Sequence, residues 1–364
     1  MAEGIKIGNI AGGLILLLAS FPFLIWNEKH WAGYAKDLKI ISQEVKTVNA
    51  NIEDPSYNQK LIHISGQAST DETVKDPITG IQEHALKLQR LVNMYQWVEY
   101  KETKNNQETY RYIKEWRDRL VDSSHFNEAA THQNPTTFPL LTQTFFPEKT
   151  ILGAFIIPQD LLDKLPAEKD LTLTSIITKA PELISINKNV SIIENAIFLG
   201  NNNAHPDIGD IKVNYKIAEV GPLSIIAQQH NNSLAKHWLK GNSYWFIESG
   251  MLSADAVVWR AYDRASTTTW LLRLMGLIMV WFGLLALISP LSKLLSFIPF
   301  FGFVVDGIIQ IMLLLLALGL TLIVVSISYL IYRPLIGLIM LATSGACIFA
   351  FIKVVQLRRK RTSH

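Results

Sequence analysis

One apolar span opens this chain of 364 residues, a mostly polar stretch of about 240 residues follows, and three more apolar spans crowd into the last quarter. Few folds accept that layout, because an apolar run of about 20 residues at 1.5 Å rise matches a hydrocarbon core roughly 30 Å thick. The first run covers 7–26. A cleaved signal peptide is its rival, but only Lys6 precedes it as a base. No small-x-small site follows, and Asn27-Glu28-Lys29-His30 comes directly after. The expectation is a retained membrane anchor. Further spans are expected at 270–288, stopped by Ser289-Pro290, at 303–332, and at 335–357 after a tight Arg333-Pro334 break.

Charge then orients the chain. Residues 28–270 hold 29 acidic and 25 basic side chains, whereas the membrane part holds 9 basic and 2 acidic ones. Four of those nine form the tail Arg358, Arg359, Lys360 and Arg361 within 358–364. Lys and Arg close to span ends stay on the cytoplasmic side, which places both termini there and the large domain on the opposite side. The opposite side is the periplasm of a bacterium or the lumen of the endoplasmic reticulum of a eukaryote. The single cysteine, Cys347, falls in the last span, so the domain uses no disulfide and depends on an ordinary core.

Within 27–269 the pattern begins as a helix, with Tyr34, Leu38, Ile41, Val45 and Val48 recurring at spacings of four and three. Docking on the chain's own domain outweighs a coiled-coil seam for so short a stripe. Beyond it the reading is strand-rich. A strand is expected at 61–66, then a long alternating one at 86–100 joined through 104–107 to 108–116 as a hairpin. Later strands are expected at 171–177, 208–217, 224–229 and 243–248, with short helices at 159–164 and 253–264. The β signals recur twice, which points to two similar lobes. The fold class is therefore an α+β membrane protein: four transmembrane helices, one N-terminal and three C-terminal, around a β-rich extramembrane domain. The apolar stretch 291–302 contains Pro299 and reads as an interfacial or re-entrant segment.

The residues Leu86, Leu88, Arg90, Val92 and Met94-Tyr95-Gln96-Trp97-Val98-Glu99, then Tyr110, Tyr112, Glu115-Trp116-Arg117 and His132-x-Asn134-Pro135, resemble the transmembrane protein 43 family, also called LUMA. Asp76-Pro77, Gly209-Asp210, Gly221-Pro222, Tyr332-Arg333-Pro334-Leu335 and the order of the spans support the match. The N-terminal extension is shorter than in animal members, which hints at a bacterial relative. The resemblance implies four spans, a large luminal or periplasmic domain and no enzymatic activity. Its eukaryotic members belong to the endoplasmic reticulum and inner nuclear membrane and are associated with nuclear-envelope organisation.

Three sets of residues invite a functional reading. Tyr95, Trp97, Tyr110, Tyr112 and Trp116 lie on facing strands and form either an aromatic interaction surface or a cross-strand ladder, with Arg90, Glu99 and Glu115 bonding across it. The ladder is the plainer explanation. Asp306 and Gln310, one turn apart at the start of a span, are a candidate intramembrane polar site. Against it, Asp306, Arg273 and Lys353 all sit close to span ends, where charged side chains snorkel. The basic tail Arg358, Arg359, Lys360 and Arg361 is expected to hold anionic lipid.

His125, Glu128 and His132, or His205, Asp207 and Asp210, supply metal-ligand types without a recognised spacing, and no catalytic motif or phosphate loop occurs. No cofactor, metal or nucleic acid is expected. The expected partners are membrane lipids, other membrane proteins and a second copy of the chain. The function read from these features is a non-enzymatic membrane scaffold, with an ion channel or transporter subunit as the alternative.

Overall fold

The computed structural model describes residues 7–104, 107–173, 189–295, 302–332 and 334–361. They divide into two compact units, residues 44–257 and residues 1–43 with 258–364.

Among the described residues, four helices are long and apolar enough to cross a membrane. Helix α1 (Ile7–Glu44) joins the first apolar span and the following stripe into one rod of 38 residues, accommodating Pro22 on the way. Later in the chain, α3 (Ala254–Leu295), α4 (Gly302–Tyr332) and α5 (Pro334–Arg361) complete the set. Helix α3 absorbs the expected short helix at 253–264 and continues through Ser289-Pro290, where the sequence reading ended it. A proline removes one intrahelical hydrogen bond, a loss that helices in apolar surroundings tolerate. Residues 291–295 of the expected interfacial stretch are thus helical, and 296–301 lie outside the described residues.

The helices pack through small residues. A Cβ added to Gly283 of α3 would lie 2.9 Å from the Leu17 Cβ and 3.1 Å from the Gly13 carbonyl oxygen of α1. Only glycine permits that approach. Leu24, Val280 and Ala317 form the shared apolar centre of α1, α3 and α4. Ser344 of α5 donates to the Gly319 carbonyl of α4 at 2.7 Å, satisfying a hydroxyl that would be costly to leave unpaired in hydrocarbon.

Among its described residues the other unit holds two short hairpins, β3 (Val74–Lys75) with β4 (Gln82–Glu83) and β16 (His237–Leu239) with β17 (Asn242–Tyr244), and two seven-stranded sheets. In the first, β2 (Leu61–Ser69), β8 (Ile151–Leu152), β9 (Phe155–Ile156), β15 (Ser233–Ala235) and β14 (Gly221–His230) pair round in a ring, with β1 (Lys46–Thr47) and β18 (Phe246–Ser249) added outside it. Ile62, Ile64, Leu152, Phe155, Ile225 and Ala227 belong to its core. Beside this core lies α2 (Gln159–Leu162), which buries Leu161 and Leu162.

The second sheet runs β11 (Val190–Ile193), β12 (Ala196–Leu199), β13 (Ile211–Glu219), β5 (Ala85–Lys104), β6 (Gln107–Arg117). Two short strands, β10 (Lys169–Asp170) and β7 (Gln143–Phe145), pair with β13 and β5 respectively. Alternation accounts for its core: Ile211, Val213, Tyr215 and Ile217 of β13 face Met94, Val92, Arg90 and Leu88 of β5, and all eight are buried. The strand expected at 171–177 is displaced: pairing occurs at Lys169–Asp170, residues 171–173 carry no strand, and 174–177 lie outside the described residues. The two sheets differ in strand order, so the recurring β signals produced two dissimilar sheets rather than one lobe twice over.

Candidate interaction surface on the long hairpin

Strands β5 and β6 pair in unbroken antiparallel register from Met94 opposite Arg117 to Lys104 opposite Gln107. Strand β13 reaches only as far as Met94 along β5, so most of this ribbon extends past its neighbour. The register sets Tyr95 against Trp116, Trp97 against Lys114, Glu99 against Tyr112 and Lys101 against Tyr110. Because side chains alternate across a strand, all of these share one face, and the five sequence-flagged aromatics Tyr95, Trp97, Tyr110, Tyr112 and Trp116 stand together on it. Each is half-buried.

Charged residues are interleaved with the rings. The Lys114 ammonium lies 4.9 Å from the Trp97 ring centroid and the Lys101 ammonium 5.7 Å from that of Tyr110. Tyr95 and Trp116 meet at 5.2 Å, and Trp116 meets Phe198 at 6.3 Å. The segment after β6 folds back over part of this face: His132 stacks on Tyr112 at 3.8 Å and stands edge-on to Trp97 at 4.6 Å. Tyr112 Oη donates to Glu99 at 2.6 Å and accepts from the Glu128 backbone N–H at 2.9 Å. Burial and the Glu99 carboxylate beside it raise the Tyr112 pKa, so the phenol stays protonated as a donor. The His132-x-Asn134 motif thereby gains a structural role. Asn134 brackets Trp97, accepting from its N–H at 2.7 Å and donating to its carbonyl at 2.9 Å. A cleft of about 600 Å³ opens in this segment between Leu120, Val121, Ala129, Ala130 and Pro135.

Of the three polar residues expected to bond across the aromatic face, only Glu99 does so. Glu115 lies on the opposite face, accepting from Tyr100 Oη at 3.1 Å and pairing with Arg117 at 2.7 Å. Arg90 points into the core. Its Nη1 donates to both Asp76 oxygens at 2.7 Å, its Nε to the Leu141 carbonyl at 3.0 Å and its Nη2 to Gln143 at 3.2 Å. Asp76 also accepts from Thr79 at 2.9 Å, from the Ile78 N–H at 3.0 Å and from Tyr215 Oη. Burial and the adjacent Asp76 carboxylate push the Tyr215 pKa far up, keeping that phenol a donor. The Arg90–Asp76 pair is almost fully buried and well satisfied, the condition under which losing one partner costs about 3–5 kcal/mol. Its sequence signal was an arginine in an otherwise apolar alternation.

In the membrane unit the ionisable residue that stands out is Arg273, and it does not snorkel. It is buried and forks onto Glu28, with Nε to Oε1 at 2.6 Å and Nη2 to Oε2 at 2.8 Å. Trp270 and Tyr329 lie at 4.5 and 5.2 Å over its guanidinium, and Asn27 donates to the Thr269 carbonyl at 3.3 Å. Sequence reasoning missed the partner, since Glu28 and Arg273 are 245 positions apart. Gln310 is exposed, and its backbone carbonyl, not its side chain, accepts from Trp281 Nε1 at 3.3 Å. The side chains of Asp306 and of Arg358, Arg359, Lys360 and Arg361 lie outside the described residues. Among the described residues no group of three or more His, Cys, Asp or Glu could hold a metal ion.

Comparison with known proteins finds a family and relatives that cover most of the chain. The family model described as Transmembrane protein 43 matches residues 94–334. The chain is 28% identical to Transmembrane protein 43 of Homo sapiens over 91% of its own length and 86% of the relative's. It is 29% identical to that of Mus musculus over 90% and 85%. It is 27% identical to the Drosophila melanogaster homolog over 92% and 91%. No solved structure matches the chain.

Proposed function

Taking as premise that this chain belongs to the transmembrane protein 43 family, we propose that it is a non-enzymatic integral membrane scaffold, organising membrane proteins or membrane structure through its extramembrane domain. The observation that carries this reading is the hairpin face: five half-buried aromatic rings interleaved with Lys101 and Lys114 on a ribbon that outreaches its neighbouring strand. Tyr and Trp are the residues enriched at interface centres.

The excess of Lys and Arg at the membrane spans and in the tail supports cytoplasmic termini, with the domain in the periplasm of a bacterial inner membrane or the lumen of the endoplasmic reticulum and nuclear envelope. The alternative is a channel or transporter using polar residues of the transmembrane bundle. Among the described residues, Glu28 and Arg273 neutralise each other there and so offer no free charge to an ion path.

The test is the intact mass of the chain released gently in native lipid particles. A scaffold appears as a whole multiple of the chain or with extra protein mass. A bare monomer under all lipid conditions would overturn the reading.

A further inference from the structure

The hairpin has a second recognition feature besides its aromatic face, namely its free edge. Tyr95 and Trp97 turn their backbone groups away from β6. Tyr95 bonds through N–H to the Asp210 carbonyl and through its carbonyl to the Gly209 N–H, and Trp97 bonds in the same way to the Asn134 amide. In an antiparallel ladder the residues opposite them, Trp116 and Lys114, then also turn their backbone groups outward, and so do Tyr112, Tyr110 and Glu108 at every second position. Strand β6 ends the sheet. Among the described residues no backbone group pairs with that outer edge. An edge of 11 residues left unpaired among the described residues is long.

We infer that the outer edge of β6 pairs antiparallel with β6 of a second copy of this chain, in the register centred on Ile113. This rests on the scaffold reading and names the partner. In that register the strand is self-complementary. Ile113 meets Ile113, Arg111 meets Glu115 twice, Tyr112 meets Lys114 twice and Tyr110 meets Trp116 twice. The outward-turned residues pair with one another, giving about eight backbone hydrogen bonds, while Ile113 and the Arg111–Glu115 pairs take the closer, non-hydrogen-bonded positions.

Other permitted registers are worse. Centring on Tyr112 loses both ion pairs, centring on Arg111 pairs Glu108 with Lys114 twice but opposes two arginines at its centre, and centring on Lys114 opposes two lysines as well as setting Arg111 against Arg117. In the chosen register the two Lys114 side chains meet only diagonally, and the like-charge pair directly opposite, Glu108 with Asp118, falls at the end of the strand. There Lys101 already holds Glu108 at 2.7 Å and Arg119 holds Asp118 at 3.4 Å. The charges on β6 repel an indiscriminate strand and accept this one.

Disulfide trapping in native lipid particles tests the pairing, using the full chain with Cys347→Ala so that each introduced thiol is the only one. Oxidation with copper phenanthroline should link Ile113→Cys into dimers. Thr109→Cys serves as control, because its two copies would lie about 26 Å apart and out of disulfide reach; its dimer yield should be at least about tenfold lower. Adding Arg111→Glu to Ile113→Cys should cut the yield several-fold, and adding Glu115→Arg as well should restore it. A multimeric native mass without a link through Ile113→Cys overturns the edge pairing and leaves the scaffold reading standing. A monomeric mass overturns both.

Discussion

At the scale of single residues, the domain's polar interior is built from side chains whose partners lie far away in sequence. His63 is an instance with a pH consequence. It is buried on β2, its Nδ1 lies 3.1 Å from the Thr47 hydroxyl, and its carbonyl accepts from the Val48 N–H at 3.0 Å. Burial pushes the imidazole pKa below its ordinary 6.5, and the Leu252 backbone pulls it only partly back. The unfolded chain therefore binds the proton more readily than the folded one. The stability contributed by neutral His63 is full above about pH 6.5 and is lost as the pH falls from there toward the depressed native value. Thermal unfolding of the chain between pH 7.5 and pH 5.5 should show a steeper acid loss for the native sequence than for His63→Gln. Equal slopes would remove His63 from the account.

At the scale of elements, helices α1 and α3 are joined both by shape and by charge. Gly13 and Gly283 bring the backbones together at one level, and Glu28 and Arg273 close a fork at another. A buried pair contributes little net stability over an apolar substitute, yet removing one partner strands the other. Glu28→Gln is expected to cost roughly 3–5 kcal/mol by leaving Arg273 uncompensated. The double variant Glu28→Met with Arg273→Met should recover most of that loss, as read by thermal denaturation in detergent. A double variant no more stable than the single would mean that Arg273 serves something other than Glu28.

At the scale of the whole molecule, the distribution of charge decides which surface meets which environment. Residues 28–270 carry a small acidic excess and the membrane part a basic one, concentrated at Arg358, Arg359, Lys360 and Arg361. Each basic residue near an anionic leaflet contributes about 1 kcal/mol of attraction. Replacing the four by Gln should abolish any preference for anionic over zwitterionic lipid in the shell that co-purifies with the chain, as measured by lipid mass spectrometry. An unchanged lipid profile would sink the proposed role of the tail.

What the sequence determined by itself is what depends on short-range pattern. Hydropathy runs located the four membrane helices, because crossing a hydrocarbon core demands length and apolarity that can be counted. Alternation located β5, and strand-type residues between turn signals located β6, β13 and β14; the β5–β6 hairpin already put Tyr95, Trp97, Tyr110, Tyr112 and Trp116 within reach of one face. Only the tertiary structure decided where polar side chains find partners. Asp76 with Arg90, Glu28 with Arg273, and His132 between Trp97 and Tyr112 are contacts between distant positions, and no local spacing encodes them. The same holds for strand order. A run of residues states that it is a strand, but whether its edge is covered, as in β5, or unpaired among the described residues, as in β6, depends on which other strands arrive beside it.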